Sequence, residues 1–460
     1  MAFRKTSIAM KALQLTSLIL LELNEINFDF VEKYIAGGRL PNFSRLLQRH
    51  GICNTASEQE YEHLEPWIQW VTAHTGLCFA DHKVFRLGDI VGTDIEQIWE
   101  FLEGQGLKVG AICPMNANNR TQHASFFLPD PWTSTPVTGS KLLQRLSESI
   151  SQAVNDNASA KLNLTSIAWL ILSIMIFVPL NAYSRYLSML MSALKGQAWA
   201  KAQLLDELLS DVTVKQMKQH RPDFTTLFLN AGAHIQHHYM FNASVYDGKQ
   251  SNPNWLLDPN ADPIFDIYDQ YDKIVGKLQS SFPNHRLMIA TGLHQDPFPY
   301  QKYYWRLANH KKFLDLIGVE FESVEPRMSR DFLIVFRSKE HASRAEQRLI
   351  TAKAHDGQSL FEVDNRGESL FVALVFPDEI TETTEVHLGN VTIGNFRQHV
   401  AFVAVKNGEH NGVGYFIDTG VTPENVEQNI PLWSLPDKVA SNFGLSWRQR
   451  GILQRTLGTV

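Results

Sequence analysis

The stretch from Phe224 to Tyr239, FTTLFLNAGAHIQHHY, most constrains how this chain can fold. Phe224–Leu229 is a short apolar run rich in Phe, Leu and Thr, the texture of a buried strand in an α/β sheet. A Gly-containing turn follows, then His234, His237 and His238. Residues just past the carboxyl end of a strand lie where open α/β sheets bind their ligands. His234 and His238 are four apart, so a helical continuation turns both imidazoles to one side, as a metal requires. The plainer alternative is a histidine-rich loop that caps a helix and binds nothing.

The rest of the chain repeats the alternation. Leu18–Leu23 (LILLEL) predicts a central strand delivering Asn24 and Glu25 at its carboxyl end, and Lys108–Cys113, Arg286–Ala290 and Ala401–Val405 predict further strands. Between them, Phe28–Ile35, Asn42–Arg49, Asp94–Gly104 and Phe265–Leu278 have helical periodicity, and Lys141 to about His220 reads as largely helical. The segment from Pro114 to about Thr138 reads as loop. Strand–helix–strand order predicts an α/β fold with a mostly parallel central sheet flanked by helices. From 318 to 396 the texture becomes β-rich, predicting a small inserted subdomain within a core made of 1–317 and 397–460.

The 460 residues carry a net charge of −6 without basic runs, which gives no footprint for nucleic acid. Cys53, Cys78 and Cys113 are odd in number and scattered, which suits a reducing, cytoplasmic compartment. The basic N-terminus lacks a signal-peptide pattern. Ile167–Val178 (IAWLILSIMIFV) is the most apolar run, too short to span a bilayer, and reads as a buried or membrane-touching helix. Trp169, Tyr183, Arg185 and Tyr186 flank it as interfacial residues would, so peripheral membrane contact is one expectation.

Other residues invite chemistry. Pro66 suits the first turn of a helix and leaves Glu65 at its N-cap, as general base or acidic cap. Glu25 offers a carboxylate beside Asn24 or a helix cap. His410 falls in a Gly-bounded loop, and His294 and Asp296 follow a strand end. Thr72 and Thr75, inside a helix, are expected to back-bond to carbonyls, and Trp67 and Trp70 to be core.

In order, LLELNEINFDFVEKYI, RLPNFSRLLQRHG, LEPWIQWVTAHTG, LFLNAGAHIQHHY, RLMIATGLHQD, GEHNGVGYFI and IPLWSLPDKVASNFGL resemble landmarks of the alkaline phosphatase superfamily, in its type I phosphodiesterase and nucleotide pyrophosphatase branch. The resemblance runs through most of the chain and implies that superfamily's fold and metal-dependent chemistry. It also exposes departures. The family's first metal-binding Asp falls on Asn24, its hydroxyl nucleophile on Glu65 or Pro66, and one Asp-His pair on Gly292 and Leu293, with His294 as a shifted substitute.

The resemblance thus implies a hydrolase or transferase of phosphate or sulfate esters, phosphodiesterase-like, on a small molecule or glycan. A divalent metal, zinc or manganese, would be held by His234, His238 and His410, with Asn24 and His294 as further candidates. Water would attack, with Glu65 or Glu25 as base. The alternative is a catalytically degenerate scaffold, a binding or assembly factor for envelope polysaccharide synthesis.

Overall fold

The computed structural model describes residues 16–155, 163–327, 330–354, 356–389 and 391–447. The N-terminal segment read as carrying no signal peptide lies mostly outside them, as does part of the expected helical region at 156–162. The chain divides into two compact units: residues 1–235, 263–296 and 410–460, and residues 236–262 and 297–409. The β-rich stretch expected at 318–396 lies within the second unit, which also takes in residues on either side of it and 236–262.

The first unit is built on an eight-stranded sheet. Its strands are β1 (Leu18–Leu23), β2 (Cys53–Ala56), β3 (Val109–Ile112), β4 (Phe126–Leu128), β5 (Phe224–Leu229), β6 (Arg286–Ala290), β7 (Val413–Asp418) and β8 (Asn429–Pro431). They are ordered β8-β2-β7-β6-β1-β5-β3-β4. All neighbours pair in parallel except β7, which runs antiparallel to both β2 and β6. Every residue of β1 and β5 is buried, which is why both read as apolar runs without alternation. β1 sits between β5 and β6, with Leu18 opposite both Phe224 and Arg286. The carboxyl ends of β1, β5 and β6 therefore come together at one edge, where this class of sheet binds ligands.

Helices α1 (Phe28–Ala36), α2 (Pro41–His50), α3 (Pro66–Thr75), α4 (Ile98–Gly104), α5 (Lys141–Asn155), α6 (Leu164–Phe177), α7 (Tyr183–Leu194), α8 (Trp199–His220), α9 (Ala231–Tyr239), α10 (Pro263–Ser281) and α11 (Leu435–Ser441) accompany the sheet. The boundary between units falls inside α9. Two local expectations need correction. The helix expected from Asp94 begins only at Ile98, because Gln97 and Glu100 form a reciprocal capping box that fixes the start there. The loop expected through Thr138 contains β4, a three-residue edge strand too short for periodicity to reveal.

The second unit has antiparallel sheets of its own: a four-stranded one ordered Phe361–Asn365, Ser369–Leu374, Asp331–Val335, Ser323–Pro326, a three-stranded one, and the pair Tyr303–Leu307 with Val400–Val405. Phe313, Phe332, Phe361, Phe396 and Trp305 fill its separate core.

Candidate active site at the carboxyl end of β1

Past Leu23 the backbone of β1 splits between its neighbours. The Asn24 N–H donates to Leu229 O at 3.1 Å on the β5 side, and the Glu25 N–H to Thr291 O at 3.1 Å on the β6 side. That divergence puts Glu25 at φ +61°, the left-handed region, which costs a non-glycine residue about 1 kcal/mol or more. Two residues on, Asn27 caps α1, its side chain accepting from the Phe30 N–H at 3.0 Å and donating to Gln295 O at 2.8 Å. The cap is thus Asn27, and Glu25 is left for other work.

Glu25 is buried among polar partners. Oε1 accepts from Asn24 Nδ2 at 3.0 Å. Oε2 accepts from Gln295 Nε2 and lies 3.1 Å from His410 Nε2. The other ring nitrogen of His410 is 3.8 Å from Glu65 Oε2. Burial pulls the His410 imidazole towards neutrality, but the Glu25 and Glu65 carboxylates outweigh it and hold its pKa above the ordinary value. His410 lies on the short strand Gly408–Asn411 rather than in the expected loop, which fixes its ring beside Glu25. Glu65 is the N-cap residue of α3 as expected, but its carboxylate makes no capping bond, so the acidic-cap reading is not realised.

The remaining candidates fare differently. Asn24 is fully buried, and its amide is spent: Nδ2 also donates to Asn230 Oδ1 at 2.8 Å, and Oδ1 accepts from Trp70 Nε1 at 2.7 Å. His294 has Nδ1 2.5 Å from Val413 O and Nε2 3.1 Å from Asp296 Oδ1, so both ring nitrogens are already engaged within the protein. The hydrogen bond from His294 holds the Asp296 carboxyl below its usual range.

His234 sits on the exposed face of α9, because Ala231, Gly232 and Ile235 turn the opposite face inward. A side chain at Gly232 would press on Ile26 at 2.3 Å. His238 is one turn further on, past the unit boundary. Among the described residues neither His234 nor His238 belongs to a set of three acidic, Cys or His groups within ligand reach.

Thr75 back-bonds to Val71 O as expected, whereas Thr72 Oγ1 lies 3.2 Å from His82 Nε2 instead. Trp70 is core and also polar glue; Trp67 is only half-buried. Gly292 stands at φ +73°, and a Cβ there would come within 3.2 Å of the Trp70 ring.

Two residues of the site escape sequence reading. Gln295 lies between His294 and Asp296, and strand alternation, which turns it away from both, was the available signal. Asp206 sits inside the long helix α8 and looks like a surface residue in sequence. It is fully buried, accepts from the Ala231 N–H at 2.8 Å and from Tyr271 OH at 2.6 Å, and so anchors the start of α9. Burial pushes its pKa up to about 7 despite these donors.

No family model and no curated protein matches the chain. Among solved structures it is similar to phosphonoacetate hydrolase from Sinorhizobium meliloti 1021 in complex with phosphonoacetate, at 13% identity, 92% of this chain, 94% of that chain and a TM-score of 0.44. It is also similar to human ectonucleotide pyrophosphatase / phosphodiesterase 5, at 10% identity, 94% and 96% coverage and a TM-score of 0.44. The murine form of the latter matches at 10% identity, with the same coverages and a TM-score of 0.42. The similarity spans nearly the whole chain at low identity.

Proposed function

We propose that this chain is a metal-dependent hydrolase or transferase acting on a phosphate or sulfate ester, phosphodiesterase-like, on a small molecule or glycan. The observation that supports it best is the buried Glu25 carboxylate, held in a left-handed backbone turn at the end of the central strand, 3.1 Å from His410. Backbone strain kept at a strand end together with a buried acid–imidazole pair supports a working site. A carboxylate and an imidazole form a donor set that suits zinc or manganese. Asn24 and His294 do not fit such a role, since their side chains are consumed by Trp70, Asn230, Val413 and Asp296.

A divalent ion at Glu25 and His410 would supply Lewis acidity towards an ester oxygen. The chain's own groups do the rest. Gln295 orients Glu25 through Nε2 while also donating to Ala233 O at 3.0 Å. Glu65 is half-exposed, makes no capping bond and lies 3.8 Å from His410 Nδ1, which supports a role as the base that would take a proton from an attacking water. The N-terminus of α3 carries Pro66 where a hydroxyl nucleophile would stand, so the reading is direct attack by water.

A second reading, a degenerate scaffold serving assembly, is favoured by the saturated amide of Asn24. The two separate on metal content and turnover, measured on untagged wild type and His410→Ala. Near-stoichiometric zinc or manganese that is lost in the variant, with wild-type turnover of a chromogenic phosphodiester, supports the hydrolase. Metal-free, inactive wild type after reconstitution overturns it in favour of the scaffold.

A further inference from the structure

The helices α6 and α7 are built inside out. On α6 the residues turned inward are Ser166, Ser173 and Phe177, while Leu164, Ile167, Ile171, Leu172, Met175 and Ile176 are exposed. At about 100° per residue, the exposed set covers roughly half the circumference, wider than the stripe by which a helix usually docks to protein. The Ser173 hydroxyl, fully buried, finds no hydrogen-bond partner among the described residues.

α7 repeats the inversion. Leu187, Leu190, Met191 and Leu194, spaced as an apolar docking stripe, point outward. Inward, Tyr186 is buried and donates to Asp211 at 2.8 Å, and Arg185 meets the buried Glu207 at 2.9 Å. Leu180, at the bend between the helices, is 88% exposed.

We propose that α6 and α7 together seat this protein in one leaflet of an anionic lipid bilayer. In water such a surface is costly, and contiguous exposed apolar area of this kind marks a partner. Length excludes a crossing: α6 has 14 residues, about 21 Å of helix against roughly 30 Å of hydrocarbon. The chain then turns through 117° into the second helix, so the pair enters and leaves on the same side or lies in the interface. Charge selects the occupant. From Asn157 to Leu205 the sequence has no Asp or Glu, and its charged residues are Lys161, Arg185, Lys195 and Lys201. Lys195, directly after the exposed Leu194, and Lys201 at the start of α8 are exposed and suit lipid phosphates. A second copy would instead bring like charges together.

The anchor on the protein side is polar and firm. Lys277 Nζ bridges Glu207 at 3.0 Å and Asp211 at 2.6 Å, tying the carboxylates that hold α7 to α10. Lys215 donates to Ile176 O, closing the carboxyl end of α6. The inserted pair would thus move as part of the first unit rather than as a loose tail.

The test is vesicle flotation of the full chain with phosphatidylcholine vesicles and with vesicles containing phosphatidylglycerol. Wild type is compared with Ile171→Gln/Met175→Gln/Leu187→Gln, all exposed positions, and with Lys195→Gln/Lys201→Gln. Brominated-lipid quenching of tryptophan emission is read in parallel. The expected result is flotation with the anionic vesicles, a fall of about ten-fold or more in partition for the triple variant, a smaller fall for the lysine variant, and an unchanged melting transition in both. Absence of wild-type flotation overturns the proposal. So does a stable dimer, measured by light scattering, that dissociates in the triple variant while vesicles are ignored. A triple variant that unfolds is replaced by Leu180→Gln/Leu194→Gln, read the same way.

Discussion

Asp206 offers the sharpest quantitative test, because its environment is fully specified. The carboxyl is buried and its pKa rises from 3.8 to about 7. Between those values the unfolded chain releases a proton that the folded chain retains, so stability falls as pH rises from about 4 to 7 and then levels off. Integrating that linkage from pH 5 to pH 8 gives a loss of roughly 2–3 kcal/mol from this one group. Asp206→Asn removes the ionisation while keeping an acceptor for the Ala231 N–H. Urea unfolding of both proteins by circular dichroism, at unit steps of pH, reads the difference directly. Stability of the variant relative to wild type should improve by roughly 2–3 kcal/mol from pH 5 to pH 8. Parallel pH profiles would refute the reasoning, since they would mean that the donors to Asp206, the Asn230 and Ala231 N–H groups and Tyr271 OH, keep it ionised throughout.

Other outcomes follow from the same geometry. Trp70→Phe keeps the apolar packing but leaves Asn24 Oδ1 without its donor, and should cost about 1–3 kcal/mol in urea unfolding. His410, whose charged form the Glu25 and Glu65 carboxylates favour against burial, should titrate by NMR above its ordinary 6.5, and Glu25→Gln should bring that midpoint down. The sign for stability is opposite to an ordinary acid's: the pair contributes fully below pH 6.5 and is lost as pH rises through the raised value. Gln295→Leu, which strips a donor from Glu25, should lower affinity for the proposed metal, read by zinc titration, while leaving α1 capped by Asn27.

Much of the sheet was legible, because β1 and β5 are buried along their whole length and β6 along all but its first residue, so their runs read as apolar despite Glu22, Thr225 and Thr226. Their carboxyl ends pointed to the candidate site for the same reason. The site's membership was harder to read. His234 and His238 share a face by sequence spacing, but which face of α9 turns inward was decided by Ala231, Gly232 and Ile235 packing below, information that spacing alone does not hold. His410, the one histidine beside Glu25 in the first unit, gave no periodic signal on its four-residue strand. Asp206 was hidden by its neighbours, since an acid between Leu205 and Glu207 in a helix normally faces solvent. The apolar run of α6 left a buried and a membrane-touching helix both open, as uniform apolarity says nothing about which side is covered.

The contact between Gly292 and Trp70 also bears on how this sequence can change. Any side chain at 292 must find room against an indole that is simultaneously holding Asn24. A carboxylate introduced there on its own would meet both the ring and an unfavourable backbone conformation. A smaller residue at 70 on its own would strand the Asn24 carbonyl. Substitutions at the three positions should therefore be non-additive: a smaller residue at 70 relieves the ring contact at 292, though not the backbone conformation there, and strands the Asn24 carbonyl unless 24 changes as well. The effect of a change at any one of these positions is therefore set by what stands at the other two.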